Sequence, residues 1–312
     1  MIITQLFPQC KRKLYVNSLD REKRSLYNTI MKAFHAFWSA PNRLRGGGEI
    51  VFPDYEVLTM MLSALKWRQK NGSIRMVTDS AGAAFFSCAG LGGLWDDGID
   101  TGLDALDADA YVFWAAGKLE ALRRVEAPCV MLDTDLILWE DVGARCAGGV
   151  TAAHREELLP DVYPDPRTAF SLDPGYSFPA EWDFSIPAAN TAFLYLPDDA
   201  LRRCYVDEAF RFMGALRDRG VDPTVAMCFA EQRILPMCAA AKGFAVHALL
   251  REHALDDQAF ATHLWGYKRA LSESPERRVE YCLTCVARLL RDFPGWADVL
   301  AKNSQTRPYI GQ

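Results

Sequence analysis

An unbroken apolar run constrains the fold of this 312-residue chain more than any other feature. Residues 128–132 read Pro-Cys-Val-Met-Leu, with no polar residue among them. A strand with one face in solvent alternates apolar and polar side chains, whereas a strand covered on both faces is apolar throughout. The run therefore predicts a central strand of a sheet that helices cover on both faces.

Shorter apolar runs and amphipathic segments alternate along the rest of the chain. Residues 33–39, 74–78, 192–196 and 245–250 predict strands. A helix is predicted after Pro53, with apolar residues at helical spacing, namely Val57, Leu58, Met61, Leu62 and Leu65. Further helices are predicted over 111–124, 198–219 and 231–241, and irregular segments over the glycine-rich 42–48 and the proline-rich 148–187. This alternation predicts an α/β fold with an open, mostly parallel central sheet flanked by helices.

The same reading predicts three parts of unequal size. Residues 1–32 form a polar, amphipathic N-terminal helical extension, and residues 33–270 form the domain that holds the sheet. Residues 271–312 form a C-terminal helical segment packed on that domain. We expect one large domain because no linker-like segment divides the middle of the chain.

Composition excludes several classes of protein. The net charge of −5 does not indicate binding to nucleic acid or to an anionic membrane. No apolar run reaches the roughly 18 residues that a membrane-spanning helix needs, and the first residues lack the apolar core of a signal peptide. We therefore expect a cytoplasmic protein.

The nine cysteines are odd in number and scattered, which favours buried free thiols. Cys282 and Cys285 form one CxxC that a helix would place one turn apart, and a redox role for them is left open.

Two carboxylates follow the central strand directly, in the sequence Asp133-Thr134-Asp135. Placed together without a partner they repel, and each would favour its protonated form. A divalent cation removes this conflict, because Mg²⁺ and Mn²⁺ bind carboxylates together with substrate phosphates. An exposed turn or a helix cap is the alternative for so short a motif. A second apolar run over residues 136–139 favours the cation site, since a solvated turn would not interrupt an apolar stretch.

His263 begins a second short string of suitable chemistry, His263-Leu264-Trp265-Gly266-Tyr267-Lys268. A glycine permits close approach of the backbone to a ligand. A lysine offers a point charge to a phosphate. A lone histidine is more often structural than functional, but this setting favours a ligand that reaches the same site.

Four segments in this order resemble retaining glycosyltransferases of the GT-A type, of the glycogenin and lipopolysaccharide-galactosyltransferase kind, and the related mannosyltransferase-like bacterial enzymes. The family's pattern is an Asp-x-Asp after a strand, an Asn-led strand, an acidic-Gln-leucine segment and a late His-x-x-Gly-x-x-Lys. The matching segments are Met131-Leu132-Asp133-Thr134-Asp135, Asn190-Thr191-Ala192-Phe193, Glu231-Gln232-Arg233-Ile234-Leu235 and residues 263–268. The resemblance covers residues 33–270. It implies a Rossmann-like GT-A fold and a metal-dependent, retaining hexosyltransferase that uses a nucleotide-diphosphate sugar, with a UDP-sugar favoured.

The resemblance also implies which residues bind the cation and the diphosphate. Asp133, Asp135 and His263 would bind Mn²⁺ or Mg²⁺, and Asp133 would also contact the nucleotide ribose. Lys268 and the backbone at Gly266 would contact the diphosphate of the donor. The acceptor could be a glycan, a protein or a small molecule, and no nucleic acid is implied as a partner.

Further positions are implied for the sugar and the nucleotide. Asn190 would face the donor sugar, and Glu231 and Gln232 would lie near the reacting anomeric carbon. Lys118, on the helix before the central strand, would orient the acidic residues or the donor. The nucleotide pocket would be lined by residues at the ends of the first two strands, namely Trp38, Ser39 and Asp79.

The chain departs from the family's pattern at three positions. Lys268 comes one residue early, so Arg269 occupies the family's lysine position and is the alternative contact to the diphosphate. Ala192 replaces a usual glycine, and Glu231 stands where the best-known relatives have Asp. Two other functions therefore stay open. One is a metal-dependent nucleotidyltransferase or nucleotide-sugar hydrolase, and the other is a non-catalytic binding protein on a decayed transferase fold.

Overall fold

The computed structural model describes residues 31–217, 220–250 and 259–311. The predicted N-terminal helical extension over residues 1–32 therefore lies almost entirely outside the described residues. Within the described ranges, no helix has the length and apolarity that a membrane crossing requires.

Strands and helices alternate through most of the chain. The strands are β1 (Ala33–Phe37), β2 (Ile74–Thr78), β3 (Ile99–Asp100), β4 (Cys129–Leu132), β5 (Leu136–Leu138), β6 (Val150–Glu156), β7 (Ala188–Leu196), β8 (Val246–Ala248) and β9 (Ala261–His263). The first helices are α1 (Ser39–Arg45), α2 (Asp54–Lys70), α3 (Ser80–Cys88), α4 (Ala116–Arg123), α5 (Gly143–Cys146) and α6 (Pro166–Ala169). The later ones are α7 (Asp199–Ala215), α8 (Pro223–Cys228), α9 (Ile234–Ala241), α10 (Lys268–Glu273), α11 (Pro275–Asp292) and α12 (Ala297–Lys302). A π-helical segment, Phe229–Arg233, joins α8 to α9, and short 3-10 helices cover Gly92–Leu94, Gly102–Ala105, Trp265–Tyr267, Pro294–Trp296 and Arg307–Tyr309.

Seven strands form one sheet in the order β3-β2-β1-β4-β7-β6-β8. β7 runs antiparallel to its neighbours β4 and β6, and every other neighbouring pair is parallel. Two buried apolar clusters pack on the sheet, which is how helices cover both of its faces. The α/β class, the mostly parallel central sheet and the flanking helices are confirmed.

The central strand is β4, as the apolar run predicts. All four of its residues are buried, and it pairs with β1 on one side and with β7 on the other. Because β7 is antiparallel, its first residues extend beyond the carboxyl end of β4, and the Asp133 N–H donates to the Ala192 carbonyl over 2.7 Å. This arrangement brings Asn190 and Thr191 to the edge of the sheet where the acidic motif lies.

The predicted irregular segment over residues 148–187 is wrong at its start. Residues of β6, Val150–Glu156, pair with both β7 and β8, so the irregular part begins only at residue 157. The buried part of β6 is Val-Thr-Ala-Ala, and alanine gives a weak strand signal because it has little side chain to pack. Pairing with β7 and β8, and not the local sequence pattern, therefore stabilises β6 as a strand.

Two predicted element boundaries are also wrong. The glycine-rich loop over 42–48 is mostly the end of α1, whose Ser39 N–H donates to the Asp79 carboxylate over 2.9 Å. The helix predicted over 111–124 begins only at Ala116, because the Asp109 carboxylate accepts the N–H groups of Tyr111 and Val112 and forms a local turn there.

The helices after residue 271 pack on the domain through α2. The Thr59 hydroxyl lies 2.8 Å from the Tyr281 hydroxyl, and Lys66 Nζ lies 2.7 Å from Asp292 Oδ2. Cys282 and Cys285 lie on the buried face of α11. Burial raises the pKa of both thiols, that of Cys282 to about 12, which disfavours the reactive thiolate.

Candidate metal centre at the carboxyl edge of the sheet

The acidic motif and His263 meet because two short strands pair outside the main sheet. Asp133 and Asp135 lie between β4 and β5, and β5 pairs with β9 so that Leu136 is opposite His263. The Leu264 N–H donates to the Asp135 carbonyl over 2.9 Å, which fixes the register. One ligand atom from each of Asp133, Asp135 and His263 lies within 4.8 Å of the others. The sequence therefore predicted a trio that the fold brings together from positions far apart in the chain.

Lys118 lies on the inner side of this trio. Its Nζ is 2.7 Å from Asp133 Oδ1 and 2.9 Å from Asp133 Oδ2, and it is 2.8 Å from Glu231 Oε1. The side chain of Lys118 is 18% exposed and that of Glu231 is 2% exposed. The lysine therefore bridges two carboxylates that are largely withdrawn from water.

Lys268 lies on the outer side of the trio in a similar arrangement. Its Nζ is 2.9 Å from Asp135 Oδ2 and 3.2 Å from Glu56 Oε1, and its side chain is 38% exposed. The neighbouring Arg269 is 87% exposed and pairs with Glu273 instead. Of the two candidate phosphate contacts, Lys268 is the one beside the acidic motif.

The charges at the site shift several ionisation equilibria in opposite directions. Burial, with Asp135 and Glu231 nearby, raises the pKa of Asp133, although Lys118 opposes the shift. Burial also disfavours the charged form of Asp135, but Lys268 and His263 outweigh it and hold its pKa well below the ordinary value. Burial disfavours the ammonium form of Lys118, yet Asp133 and Glu231 outweigh it and raise its pKa. The lysines thus remain cationic among carboxylates that compete for positive charge.

The donor set suits a divalent cation. Carboxylate oxygens are ligands for Mg²⁺ and Mn²⁺, and an imidazole nitrogen is acceptable to Mn²⁺. The two lysines touch four carboxylates, namely Asp133, Asp135, Glu231 and Glu56, so this group of six carries a formal charge of −2. A divalent cation would neutralise that charge, and Asp133, Asp135 and His263 are the residues that would hold it.

Glu231 is held firmly by the fold around it. The Thr191 hydroxyl donates to Glu231 Oε1 over 2.5 Å, and the Tyr205 hydroxyl donates to the Glu231 carbonyl over 2.6 Å. Glu231 and Gln232 both lie in the π-helical segment Phe229–Arg233. Insertions of this kind inside α-helices occur often at functional sites, because they redirect side chains that a regular helix would place elsewhere.

Asn190 and Gln232 lie in an adjoining polar cluster that the sequence did not reveal in full. Asn190 Nδ2 donates to Glu156 Oε1 over 3.1 Å, and the Tyr163 hydroxyl donates to Gln232 Oε1 over 2.5 Å. Burial, with Glu156 nearby, raises the pKa of Tyr163, so the phenol stays protonated. Tyr163 lies in the proline-rich segment, where no periodic pattern marks a residue as important.

The three residues predicted to line a nucleotide pocket lie together at the ends of β1 and β2. The Asp79 carboxylate accepts the N–H of Ser39 and that of Gly82, so it caps both α1 and α3. Trp38 packs on Gly117, where an added Cβ would come within 2.6 Å of the Trp38 Cβ. This close contact places Trp38 beside the helix turn that carries Lys118.

Gly266 lies in the exposed 3-10 helix Trp265–Tyr267, two residues before Lys268. The adjacent Trp265 ring is stacked near the His263 ring, with centroids 6.4 Å apart. The string from His263 to Lys268 thus forms a short turn beside the acidic motif.

A buried histidine supports the acidic motif from behind. The Trp95 indole N–H donates to His35 Nδ1 over 3.2 Å, so the proton of neutral His35 lies on Nε2, which is 3.1 Å from the Ser63 hydroxyl. That hydroxyl donates to the Leu136 carbonyl over 2.6 Å. Burial lowers the pKa of His35 to about 3, although the Asp135 charge opposes the shift.

The chain resembles two solved structures and one family of proteins. The apo-form glycosyltransferase GlyE of Streptococcus pneumoniae TIGR4 is 14% identical, with 70% of this chain and 45% of GlyE covered and a TM-score of 0.32, so the chain spans less than half of GlyE. Mouse xyloside xylosyltransferase 1, in its apo form, is 10% identical, with 70% of this chain and 84% of that protein covered and a TM-score of 0.33. No curated protein matches the sequence. A family model described as "Family of unknown function (DUF6734)" matches residues 31–295, and the chain belongs to that family.

Proposed function

We propose that this protein is a divalent-metal-dependent glycosyltransferase of the GT-A type, which moves a sugar from a nucleotide-diphosphate sugar to an acceptor. One observation carries the proposal: ligand atoms of Asp133, Asp135 and His263 lie within 4.8 Å of one another, with the Lys268 ammonium group 2.9 Å from Asp135. The site lies at the carboxyl ends of parallel strands, where α/β sheets bind their ligands. The order of the four sequence segments supports the same function.

The outer side of the site suits a leaving diphosphate. Cleavage of the bond between sugar and phosphate builds negative charge on the phosphate oxygens. A bound cation would supply electrostatic stabilisation of that charge. Lys268 is accessible enough to exchange a contact with Asp135 or Glu56 for a charge-assisted hydrogen bond to phosphate.

The inner side of the site suits the sugar. Lys118, Glu231 and Gln232 form a rigid polar wall, because each is held by further hydrogen bonds within the fold. Such a wall can orient the anomeric carbon toward an acceptor hydroxyl. For a retaining outcome, the new bond joins the acceptor oxygen to the anomeric carbon as the phosphate departs from the same face. The acceptor proton then passes to a leaving diphosphate oxygen.

The decisive experiment follows the nucleotide product. The purified protein is incubated with several UDP- and GDP-sugars and Mn²⁺, and the products are separated by mass spectrometry. We expect a nucleoside diphosphate with transferred or free sugar, and loss of product in EDTA and in Asp135→Asn. Release of a nucleoside monophosphate would instead mean that the bond between the two phosphates is cleaved. That result would identify a nucleotidyltransferase or a nucleotide-sugar hydrolase.

A thermal-shift measurement tests whether the protein binds a nucleotide through the metal centre, which a non-catalytic protein on a decayed transferase fold would not do. UDP with Mn²⁺ should raise the melting temperature of the wild type, because a ligand that binds only the folded state stabilises it. Asp135→Asn should lose this shift, whereas Arg269→Ala, an exposed neighbour of Lys268, should keep it. An equal shift in Asp135→Asn would contradict the metal centre, and no shift in any variant would contradict nucleotide binding.

A further inference from the structure

A cavity of about 640 Å³ has exposed aromatic side chains in its walls. It is lined by α1, by the turn before α4 and by the start of α8. Tyr111 is 69% exposed, Trp114 is 40% exposed and Leu44 is 62% exposed. Exposed apolar side chains gathered around one concavity commonly mark a binding site.

The segments that line the cavity adjoin, along the chain, elements that carry residues of the candidate site. The first wall of the cavity, α1, follows β1 directly, and Trp114 lies two residues before the start of α4, the helix that carries Lys118. The Ala115 N–H donates to Met227 Sδ over 3.3 Å, which ties the aromatic turn to α8. The turn that contains Trp114 therefore leads into the helix whose Lys118 touches Asp133 and Glu231.

The lining combines aromatic faces with polar groups. A pyranose ring has an apolar face of C–H groups, which stacks on an aromatic ring, and a rim of hydroxyl groups, which needs hydrogen-bond partners. Tyr111 and Trp114 supply rings, and Arg45 and Asp222 line the same cavity with charged groups. The volume lies within the roughly 300–1,000 Å³ typical of small-molecule sites. A flat apolar protein partner would not require charged groups within a concave cavity.

We infer that this cavity is the acceptor subsite and that its ligand is a carbohydrate, with the sugar ring stacked on Trp114 or Tyr111. The inference rests on the proposed glycosyltransferase function, since it assigns the second substrate of that reaction. The acceptor chain would lie across the cavity and present a hydroxyl toward the wall formed by Lys118 and Glu231.

Binding to a glycan array tests the inference, with the wild type, Trp114→Ala and Tyr111→Ala as the proteins compared. Val279→Ala is the matched control, because Val279 is also 40% exposed but lies on α11. We expect the wild type and the control to bind a subset of glycans, and the two aromatic variants to bind them at least ~10-fold more weakly. Trp114→Phe should retain most of the binding, because it keeps a ring.

Hydrolysis of the donor in the absence of an acceptor distinguishes a failure of the acceptor subsite from a failure of the proposed transferase function. Slow, metal-dependent release of nucleoside diphosphate should be unchanged in Trp114→Ala, because water replaces the acceptor. Glycan binding that is equal in wild type and Trp114→Ala, or absent from the wild type, would overturn the acceptor subsite while donor release continued. Loss of donor release in the wild type would instead overturn the proposed transferase.

Discussion

Two lysines flank the acidic motif in closely similar pairings but in different surroundings. Lys118 bridges Asp133 and Glu231 with a side chain that is 18% exposed, and Lys268 bridges Asp135 and Glu56 with one that is 38% exposed. We call these the inner and the outer lysine clusters. The motif thus places one carboxylate in each cluster.

The difference in exposure predicts a structural role for the inner cluster and ligand exchange for the outer cluster. A buried ion pair is difficult to break, because removal of one partner leaves the other charged and without water. A partly exposed ion pair contributes little to stability, because water can replace either partner. We therefore expect the inner cluster to hold the fold and orient the sugar, and the outer cluster to exchange partners with a diphosphate.

The largest expected effect is that of Lys118→Met on stability. Asp133 and Glu231 would be left without their cationic partner, and such losses cost about 3–5 kcal/mol. Urea unfolding measures the change. The double variant Lys118→Met/Glu231→Met is the control, and it should recover part of the loss because one uncompensated charge is removed. A stability change below that of Lys268→Met would contradict the assigned roles.

The next effect is that of Lys268→Met on nucleotide binding. Loss of one charge-assisted contact to phosphate costs about 1.5–3 kcal/mol, which is roughly 10- to 150-fold in the Kd for UDP with Mn²⁺. Stability should change by less than about 1 kcal/mol, because the pair is partly exposed. Titration calorimetry measures the affinity, and Arg269→Met is the matched control, with no change expected. Equal effects at the two positions would remove the distinction between Lys268 and its neighbour.

A third effect concerns the support that both clusters share. The folded-state pKa of His35 is about 3 and its ordinary value is 6.5, so between these values the unfolded chain binds more protons. Above pH 6.5 the ionisation of His35 therefore does not change the free energy of unfolding. As the pH falls from 6.5 toward 3, it lowers the free energy of unfolding by about 1.4 kcal/mol per pH unit. At pH 5 the loss reaches about 2 kcal/mol.

Urea unfolding at pH 7.5 and pH 5 measures this dependence. His35→Asn should show a smaller loss between the two pH values than the wild type. His247→Asn, which alters an exposed histidine on β8, should behave like the wild type. Because His35 holds the backbone between the clusters through Ser63, its protonation should weaken both clusters alike. A pH dependence unchanged in His35→Asn would assign the loss to other groups.

The two clusters also differ in how far the sequence predicts them. Asp133 and Asp135 follow a run of buried residues, so local pattern alone places them at a strand end. His263 and Lys268 could be found only through a motif, because the pairing of β5 with β9 that brings them close has no local signal. Glu56 looks like an ordinary acidic residue in the first turn of a helix.

The inner cluster has a similar limit. Lys118 was predicted near the acidic residues by resemblance, whereas the Thr191 contact to Glu231 depends on the antiparallel direction of β7. The class of the sheet followed from the alternation of elements, but β6 did not, because its alanines carry little strand signal. Contacts between distant segments therefore account for most of what the sequence left unseen.

The smallest expected effect, that of Tyr163→Phe, tests whether the two clusters act separately. The Tyr163 hydroxyl donates to Gln232, beside the inner cluster. Without this hydrogen bond Gln232 is less well oriented, which should raise the activation free energy by about 1 kcal/mol. We therefore expect kcat to fall about fivefold and the Kd for UDP with Mn²⁺ to stay unchanged. Steady-state kinetics with a donor sugar and calorimetry with UDP measure the two quantities.

Tyr176→Phe is the control for that variant, because the Tyr176 hydroxyl is buried and has no hydrogen-bond partner among the residues that the structure describes. Its removal should leave kcat unchanged and be neutral or slightly stabilising, since no bond is lost. If Tyr163→Phe weakened UDP binding as much as Lys268→Met does, the polar wall and the diphosphate contact would be one coupled unit. An effect confined to kcat would instead place Tyr163 and Gln232 with the sugar, on the inner side of the acidic motif.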